Sequence, residues 1–227
     1  MSNKQSLAIT PPSNGEPWSI DADAPLQAIV TSPDCPPLLR QTLTGALSWQ
    51  ARNETPIYRA LTSARIASQW SAALLALGAT VTVEGNDGST EIALETLGQY
   101  EGEGKVSVLH IRVDGMTWCE AHVARTPADE PIVAAVAAVK MDGDVVRRAR
   151  VALTGVWSHP VGLAKAPVQL VDGPLDLTSI QTVAEAVEKE VTPKGNFLGS
   201  EEYRRAMAGV LTRRALEECR RQEAGNE

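Results

Sequence analysis

The amino-acid sequence predicts an α+β fold, in which helices and antiparallel strands form separate layers. Two observations support this prediction. Residues 80–94 alternate apolar and polar side chains on both sides of a Gly/Asn/Asp turn, which is the pattern of a β-hairpin. Residues 132–141 are small, apolar and β-branched, and after an Asp-Gly-Asp turn residues 145–156 return with alternating polarity. Residues 37–49, 62–77 and 178–191 instead repeat apolar side chains at helical spacing. The resulting order of helices, strands, hairpin and helices is typical of an α+β protein.

The first half of the chain is predicted to contain two helices and three strands. The helix at 62–77 ends at Gly78, because glycine readily leaves the helical conformation. The hairpin at 80–94 follows it, and residues 105–113 form a further strand. The Asp114-Gly115 pair then turns the chain, so we place a domain boundary near it.

The second half is predicted to contain one long hairpin and two helices. Residues 132–141 and 145–156 are the strands of the hairpin. The first helix begins with a capping box, in which the Thr178 hydroxyl accepts an amide and Gln181 reaches back. Ser200 caps the last helix, with two glutamates in its first turn.

The chain is therefore predicted to have three segments. Residues 1–24 form a disordered or loose arm, because Ser, Asn, Pro, Gly and Asp dominate there. Residues 25–115 form a first domain, and residues 116–222 form a second one. A length of 227 residues fits one large or two small domains.

Composition excludes several classes of partner. The net charge is -7, which disfavours binding to nucleic acid or to an anionic membrane. No stretch approaches the roughly 20 apolar residues that a membrane-spanning helix needs. The N-terminus lacks the apolar segment of a secretory signal, so we expect a cytoplasmic protein.

No constellation of catalytic or metal-binding residues stands out. The three cysteines are far apart, and neither phosphate-binding motif, G-x-G-x-x-G or G-x-x-x-x-G-K-[ST], occurs. The three histidines form no H-E-x-x-H pair, and there is no G-x-S-x-G elbow. His159 follows a predicted strand and is either a general base or a solvent-facing loop histidine. We expect no catalytic residue and no metal ligand.

Residues 120–220 resemble the C-terminal domain of a known family. Arg125 to Val139 are similar to the segment by which that family enters the domain. Gly199 to Arg204 and Leu211 to Leu216 resemble its closing helix without a gap. The family is the FAD-binding medium subunit of the molybdenum hydroxylases, of the xanthine dehydrogenase and carbon monoxide dehydrogenase type. The resemblance implies a flavin-binding α+β lobe followed by an antiparallel sheet packed with helices.

The flavin-binding lobe of the family is matched less completely, over about residues 25–113. Family members carry Arg-Asn-x-x-Thr-Ile-Gly-Gly-Asn and then Ala-Leu-Leu-Ala-Leu-Gly-Ala. Arg52-Asn53 and residues 73–79 align with these segments, but Tyr58-Arg59-Ala60 stands where the family has Gly-Gly-Asn, and Gln69 replaces an acidic residue. The resemblance therefore marks six degenerate flavin positions, which are Thr55, Ile57, Tyr58, Arg59, Ala60 and Gln69.

The resemblance implies that both phosphate-binding loops of the family are lost. Paired glycines let backbone amides approach the flavin phosphates, and large side chains prevent that approach. Residues 1–24 are too short and too polar to supply the family's other lobe, with its Ala-Gly-Gly-Thr loop. Each hydrogen bond from a backbone amide to a charged oxygen contributes about 1.5–3 kcal/mol to the binding free energy. We therefore expect no cofactor, and FAD only if the family function survives.

These expectations favour a non-catalytic interaction or accessory subunit related to the molybdenum hydroxylases. Its implied partners are the large subunit with the molybdenum cofactor and the iron–sulfur subunit, or further copies of itself. One alternative is an FAD-binding electron-transfer subunit of a molybdenum-dependent oxidoreductase. Another is a small-molecule binding module, whose cleft would be lined by Tyr58, Arg59 and Gln69.

Overall fold

Eight strands and seven α-helices lie within the residues that the computed structural model describes, namely 17–86, 88–100, 104–113, 115–126 and 129–225. The α+β prediction is confirmed. Two 3₁₀ helices, Leu94–Gln99 and Ala166–Leu170, accompany these elements. In chain order the strands and α-helices are β1 (Trp18–Asp21), α1 (Leu26–Thr31), α2 (Pro37–Ala46), α3 (Trp49–Glu54), α4 (Ile57–Thr62), α5 (Ser68–Leu77), β2 (Thr80–Gly85), β3 (Gly88–Ala93), β4 (Gly104–Ile111), β5 (Thr117–Val123), β6 (Val133–Asp142), β7 (Val145–Thr154), β8 (Val161–Ala164), α6 (Leu177–Glu190) and α7 (Glu201–Ala224).

The chain divides into two compact units, and one helix belongs to a different unit from its sequence neighbours. The first unit consists of Met1–Ala67 and Gly78–Asp114. The second consists of Ser68–Leu77 and Gly115–Glu227. Because Ser68–Leu77 is α5, the chain enters the second unit once before it enters it finally at Gly115.

The first unit contains a four-stranded antiparallel sheet with the strand order β1-β4-β2-β3. Trp18, Ile20 and Val81 alternate with polar residues on β1 and β2 and are buried, and Leu109 of β4 is buried as well. This alternation is the hydrophobic pattern of a sheet with one face on a core. The predicted hairpin of β2 and β3 is confirmed by its register, which runs from Thr80 opposite Ala93.

The helix predicted at 37–49 is interrupted, which corrects the sequence interpretation. α2 ends at Ala46, and α3 begins three residues later. The side chain of Ser48 accepts a hydrogen bond from the amide of Ala51 at 3.2 Å. Because the Ser48 N-cap starts a new helix, the apolar pattern of residues 37–49 spans two helices and not one.

The helix predicted at 62–77 is confirmed only over its later part, because residues 63–67 are not helical. α4 ends at Thr62, and α5 begins at Ser68. The segment between them is where the chain passes from the first unit to the second. An apolar stripe read along the sequence does not distinguish one core from two.

The predicted arm at 1–24 is wrong over its last part. Trp18–Asp21 form β1, which pairs with β4 from Trp18 opposite Ile111. Ala22 and Ala24 beyond it are fully buried. The four-residue strand is too short for its alternation to stand out from the polar surroundings. Residues 1–16 lie outside the described residues.

The second unit contains an antiparallel sheet with the strand order β5-β6-β7-β8. α7 packs on β5 and β6, and α6 packs on α7. α5 packs on β6, β7 and β8, so this sheet also carries a helix from the first half of the sequence. The predicted hairpin of β6 and β7 is confirmed, whereas β5 and β8 were not predicted. None of the helices in the described ranges could span a membrane.

The start of α6 differs from the prediction. Asp176, not Thr178, is the N-cap, and its carboxylate accepts the amide of Ser179 at 2.7 Å. The Ser179 hydroxyl closes the capping box by accepting the Asp176 amide at 3.1 Å. The Ser200 cap of α7 is confirmed, since its side chain accepts the Tyr203 amide at 3.2 Å.

Candidate functional site

Four of the six degenerate flavin positions lie in the short helix α4. Pro56 precedes this helix with an extended backbone, and Ile57 is its first residue. Thr55 ends α3 and, through its carbonyl, accepts a hydrogen bond from the amide of Leu26 at 2.9 Å. The stretch that aligns with the family's glycine loop is therefore a helix start fixed to its surroundings on both sides.

The first amides of α4 are used by carbonyl groups of the same unit. The amide of Ile57 donates to the carbonyl of Ala24 at 2.9 Å. The amide of Tyr58 donates to the carbonyl of Ala22 at 2.8 Å. The first N–H groups of a helix have no partner within the helix, and they are the groups that bind phosphate oxygens elsewhere. At this helix they are already paired with the chain that follows β1.

The side chains of α4 divide between the core and the surface. Ile57 and Ala60 are fully buried in the first unit. Tyr58 is 36% exposed, and Arg59 is exposed as well. The amide of Arg59 donates to the carbonyl of Pro56 at 3.1 Å, so it too has a partner within the chain.

Tyr58 also lines an open cleft of about 470 Å³ in the first unit. That volume is within the range of small-molecule sites. Neither Arg59 nor Gln69 lines the cleft, so the structure does not bring the three predicted residues together in it. Its lining includes apolar, aromatic and cationic side chains, among them Leu61, Val83, Val106, Tyr58, Tyr100 and Lys105.

Among the described residues that line this cleft, Lys105 carries a positive charge. Its ammonium group is 2.6 Å from a carboxylate oxygen of Asp23 and 5.9 Å from the centre of the Tyr58 ring. The hydrogen bond to Asp23 raises the pKa of Lys105 above its ordinary value. Sequence reasoning did not single out Lys105 or Tyr100, because Lys105 is predicted only as the first residue of a strand and Tyr100 belongs to no motif.

Gln69, the sixth degenerate flavin position, belongs to the second unit. It is buried at the start of α5, and its amide nitrogen donates to a Glu120 carboxylate oxygen at 2.6 Å. The same oxygen lies 3.0 Å from Nδ1 of His122. Only 6% of the Glu120 side chain is exposed, and Gln69 and His122 are polar neighbours of its carboxylate. Sequence reasoning missed Glu120 because it missed the strand that carries it.

The histidines form no catalytic arrangement in the described residues. Nδ1 of His159 donates to the carbonyl of Val161 at 2.7 Å, and its ring stacks on Trp157. His110 lies between the hydroxyls of Ser19 and Thr82. No group of three or more potential metal-ligating side chains occurs across the described ranges.

Known proteins resemble both the sequence and the fold. Residues 121–219 match the family of the CO dehydrogenase flavoprotein C-terminal domain. The chain is 25% identical over 189 residues to the glyceraldehyde dehydrogenase medium chain of Sulfolobus acidocaldarius, covering 80% of this chain and 67% of that one. The resemblance to flavin subunits of the molybdenum hydroxylases is thereby confirmed.

Solved structures share the architecture. CO dehydrogenase from Oligotropha carboxidovorans superimposes with a TM-score of 0.79 at 22% identity, over 94% of this chain and 78% of that one. Quinoline 2-oxidoreductase from Pseudomonas putida 86 gives a TM-score of 0.76 at 23% identity, over 93% and 77% of the two chains. At this identity the superpositions establish the fold.

Proposed function

We propose, from the membership of residues 121–219 in the CO dehydrogenase flavoprotein C-terminal domain family, that the chain is a non-catalytic relative of the flavin subunits. It acts as an interaction or accessory subunit and does not hold FAD by itself. Its partners are a molybdenum-cofactor subunit and an iron–sulfur subunit, or further copies of this chain.

The observation that carries the proposal is the pairing of the α4 amides. The N–H groups of Ile57 and Tyr58 donate to Ala24 and Ala22, so neither is free for a phosphate oxygen. A flavin phosphate could recruit them only by breaking two bonds that the fold already makes. Each bond to a charged oxygen would gain about 1.5–3 kcal/mol, and each broken buried bond would leave a carbonyl unsatisfied at a cost of about 1–3 kcal/mol. The exchange yields little net affinity.

The side chains at the glycine positions act in the same direction. Glycine permits a close approach of backbone to ligand because it has no Cβ. Tyr58 and Arg59 replace both glycines, and the Tyr58 ring stands beside the cleft that it lines. A ligand with two phosphates would meet these side chains before it met the backbone.

A fluorescence titration tests the loss of FAD binding. Free FAD fluoresces, and a flavin held in a protein changes its intensity and its anisotropy. We expect neither quantity to change when the purified chain is added in excess over micromolar FAD. A saturable rise in anisotropy with one site per chain would contradict the proposal.

Co-purification tests the accessory role. The tagged chain is co-expressed with a large and an iron–sulfur subunit of a molybdenum hydroxylase encoded by the same organism. We expect at least one of them to be retained through a high-salt wash, or the chain to run as a dimer or larger species. Failure to retain either subunit, together with a monomeric mass by light scattering, would sink the interaction role.

The rival function is an electron-transfer subunit whose FAD site is completed by a partner chain. The match to a flavoprotein family favours it. Colour discriminates the two functions, because the rival requires the co-purified complex to be yellow with flavin bound on this chain. The proposed accessory role requires any flavin in the complex to belong to another subunit.

A small-molecule binding role is favoured by one specific observation, the cleft beside Tyr58 and Tyr100. The volume of the cleft and its apolar lining residues suit a small, partly aromatic ligand. Thermal unfolding in the presence of a nucleotide and acyl-CoA panel tests it. Stabilisation by one compound that is lost in Tyr100→Ala would support this role, and a flat response across the panel would remove it.

A further inference from the structure

Two pairs of residues join the edge strand β5 to the last helix of the second unit. The hydroxyl of Thr117 donates to a carboxylate oxygen of Glu223. Two residues further along β5 stands Cys119, and four residues back along α7 stands Cys219. Two residues of strand advance about 6.6 Å, and four residues of helix advance about 6 Å. The two elements are therefore in register, and the second pair is Cys119 with Cys219.

Hydrogen bonds place the Cys219 sulfur on the strand that carries Cys119. Its Sγ lies 3.8 Å from the carbonyl oxygen of Thr117 and 3.8 Å from that of Ala137. Ala137 is the residue directly opposite Cys119 in the pairing of β5 with β6. The sulfur of Cys219 therefore lies near Thr117, two residues before Cys119 on β5, and near Ala137, which faces Cys119 on β6.

Both thiols are buried, and they interact with each other. Cys119 is 4% exposed and Cys219 is not exposed at all. Interaction with the Cys219 thiol lowers the pKa of the Cys119 thiol, while interaction with Cys119 and burial raise the pKa of Cys219 well above its ordinary value. The pair therefore has one sulfur that ionises more readily and one that retains its proton.

We propose that Cys119 and Cys219 are an oxidation site, at which a hydroperoxide converts the two thiols into a disulfide between β5 and α7. Nothing in the proposed accessory role depends on this site. Its position gives it a structural consequence, because the bond would fix the free edge of the sheet to the C-terminal helix.

The reaction proceeds in two balanced steps. The Cys119 thiolate attacks the terminal peroxide oxygen, so that an S–O bond forms, the O–O bond breaks and an alcohol leaves with a proton. The Cys219 sulfur then attacks the sulfenic acid, so that an S–S bond forms and the S–O bond breaks. Hydroxide leaves and takes the Cys219 proton as water. Two thiols and one hydroperoxide give one disulfide, one alcohol and one water.

Access comes from the edge position of β5. Among the described strands of its sheet, β5 pairs only with β6. Edge strands open locally more easily than central ones, because fewer hydrogen bonds must break. A hydroperoxide is small enough to reach Cys119 in such an opening.

The third cysteine supplies an internal control. Cys35 belongs to the first unit, and its thiol donates to the carbonyl of Pro36 at 3.5 Å. Burial raises its pKa, so it is the less reactive kind of thiol. We expect Cys35 to stay reduced under conditions that oxidise the pair.

Thiol counting by mass spectrometry tests the proposal on the full chain. The reduced protein is treated with excess hydrogen peroxide, unfolded and alkylated with iodoacetamide. The three cysteines of the sequence should then yield one alkylated thiol, at Cys35, and one cross-linked peptide containing Cys119 and Cys219. Cys35→Ser should keep this cross-link. Cys219→Ser should lose it and accumulate sulfenic or sulfinic acid at Cys119.

The wild-type protein alone decides the question if a variant does not fold. Three alkylated thiols after a dose of peroxide that oxidises the methionines would overturn the proposal. A cross-link that contains Cys35 would overturn it as well. In the expected case the oxidised chain unfolds at a higher temperature than the reduced one, and dithiothreitol reverses the shift.

Discussion

The two units differ in how one segment of each satisfies its backbone hydrogen bonds. In the second unit the turn after β7 contains Gly155, whose φ of 74° is one that other residues rarely adopt. The buried guanidinium of Arg204 donates to the carbonyls of Ile132 and Gly155, each at 2.8 Å. In the first unit the glycine positions hold Tyr58 and Arg59, and the segment is a helix whose amides bond to the chain after β1.

The difference follows from where each turn finds its partner. The carbonyl of Gly155 accepts a hydrogen bond from Arg204, so this turn is stabilised by a side chain of the same unit. A cofactor loop is satisfied by its ligand, so its amides are spare when the ligand is absent. When the glycines are replaced, such amides must find partners inside the protein, because buried unpaired N–H groups are costly. The α4 segment has found them.

The largest expected effect comes from removing the internal partner in the second unit. Arg204→Met leaves the carbonyls of Ile132 and Gly155 without this donor, and it also removes the bond to Asn196. We expect the free energy of unfolding to fall by about 4 kcal/mol, since each unsatisfied buried group costs about 1–3 kcal/mol. Urea denaturation measures the loss. Arg214→Met, an exposed position on the same helix, is the control and should change stability little.

A somewhat smaller effect is expected at the glycine itself. A Cβ at Gly155 would lie 2.1 Å from the carbonyl oxygen of Ile132, and the backbone conformation would be strained as well. We expect Gly155→Ala to cost about 3 kcal/mol, combining overpacking and left-handed strain.

The matched control for that substitution is Gly143→Ala in the β6–β7 turn. Gly143 also has a positive φ, of 56°, but a Cβ there meets nothing within 4 Å. Only the strain remains, and we expect a cost of about 1 kcal/mol. Equal losses at the two glycines would mean that the close approach at Gly155 contributes nothing.

Glycines placed at positions 58 and 59 test whether the two side chains alone prevent FAD binding in the first unit. We expect Tyr58→Gly with Arg59→Gly to destabilise α4 by about 1–2 kcal/mol, because glycine is a poor helix former. We expect no gain of FAD binding, because the amides keep their partners at Ala22 and Ala24. Retention of flavin by the double variant would assign the loss to the two side chains alone.

The smallest expected effect concerns pH. The Ser179 amide and hydroxyl lower the pKa of the Asp176 carboxyl, so its contribution to stability is complete above the ordinary carboxyl pKa and is lost as pH falls through the lowered one. Asp176→Asn keeps an N-cap that does not titrate. The stability advantage of the wild type over this variant should therefore shrink when urea denaturation is repeated at pH 3 instead of pH 7. An advantage that grew on acidification would contradict this assignment.

The sequence predicted those parts of the fold that depend on local patterns. The β2–β3 and β6–β7 hairpins follow from alternation and turn residues, and the Ser200 cap follows from residue type. β5 was not predicted, because its strand conformation depends on its pairing with β6 and not on a pattern in its own sequence. The start of α5 at Ser68 escaped prediction because Ile66 and Ala67 extend the apolar spacing of α5, although the chain changes units between Ala67 and Ser68.

The sequence predicts which residues of the candidate site depart from the family pattern, but it does not predict their hydrogen-bond partners. The replacement of two glycines is visible in the sequence as soon as the family pattern is aligned. The carbonyls of Ala22 and Ala24 that receive the α4 amides lie more than thirty residues earlier, in a stretch read as a loose arm. Long-range hydrogen bonds of this kind leave no periodic signal. The partnership of Gln69 with Glu120 is hidden for the same reason.

The most direct test of the central claim is the visible absorption spectrum of the purified chain, recorded before and after incubation with excess FAD and desalting. A chain whose glycine-loop amides are already paired retains no flavin, so we expect no absorption band between the near ultraviolet and the blue in either sample. A flavin spectrum that survives desalting at close to one FAD per chain would contradict the account and would restore the electron-transfer subunit as the function.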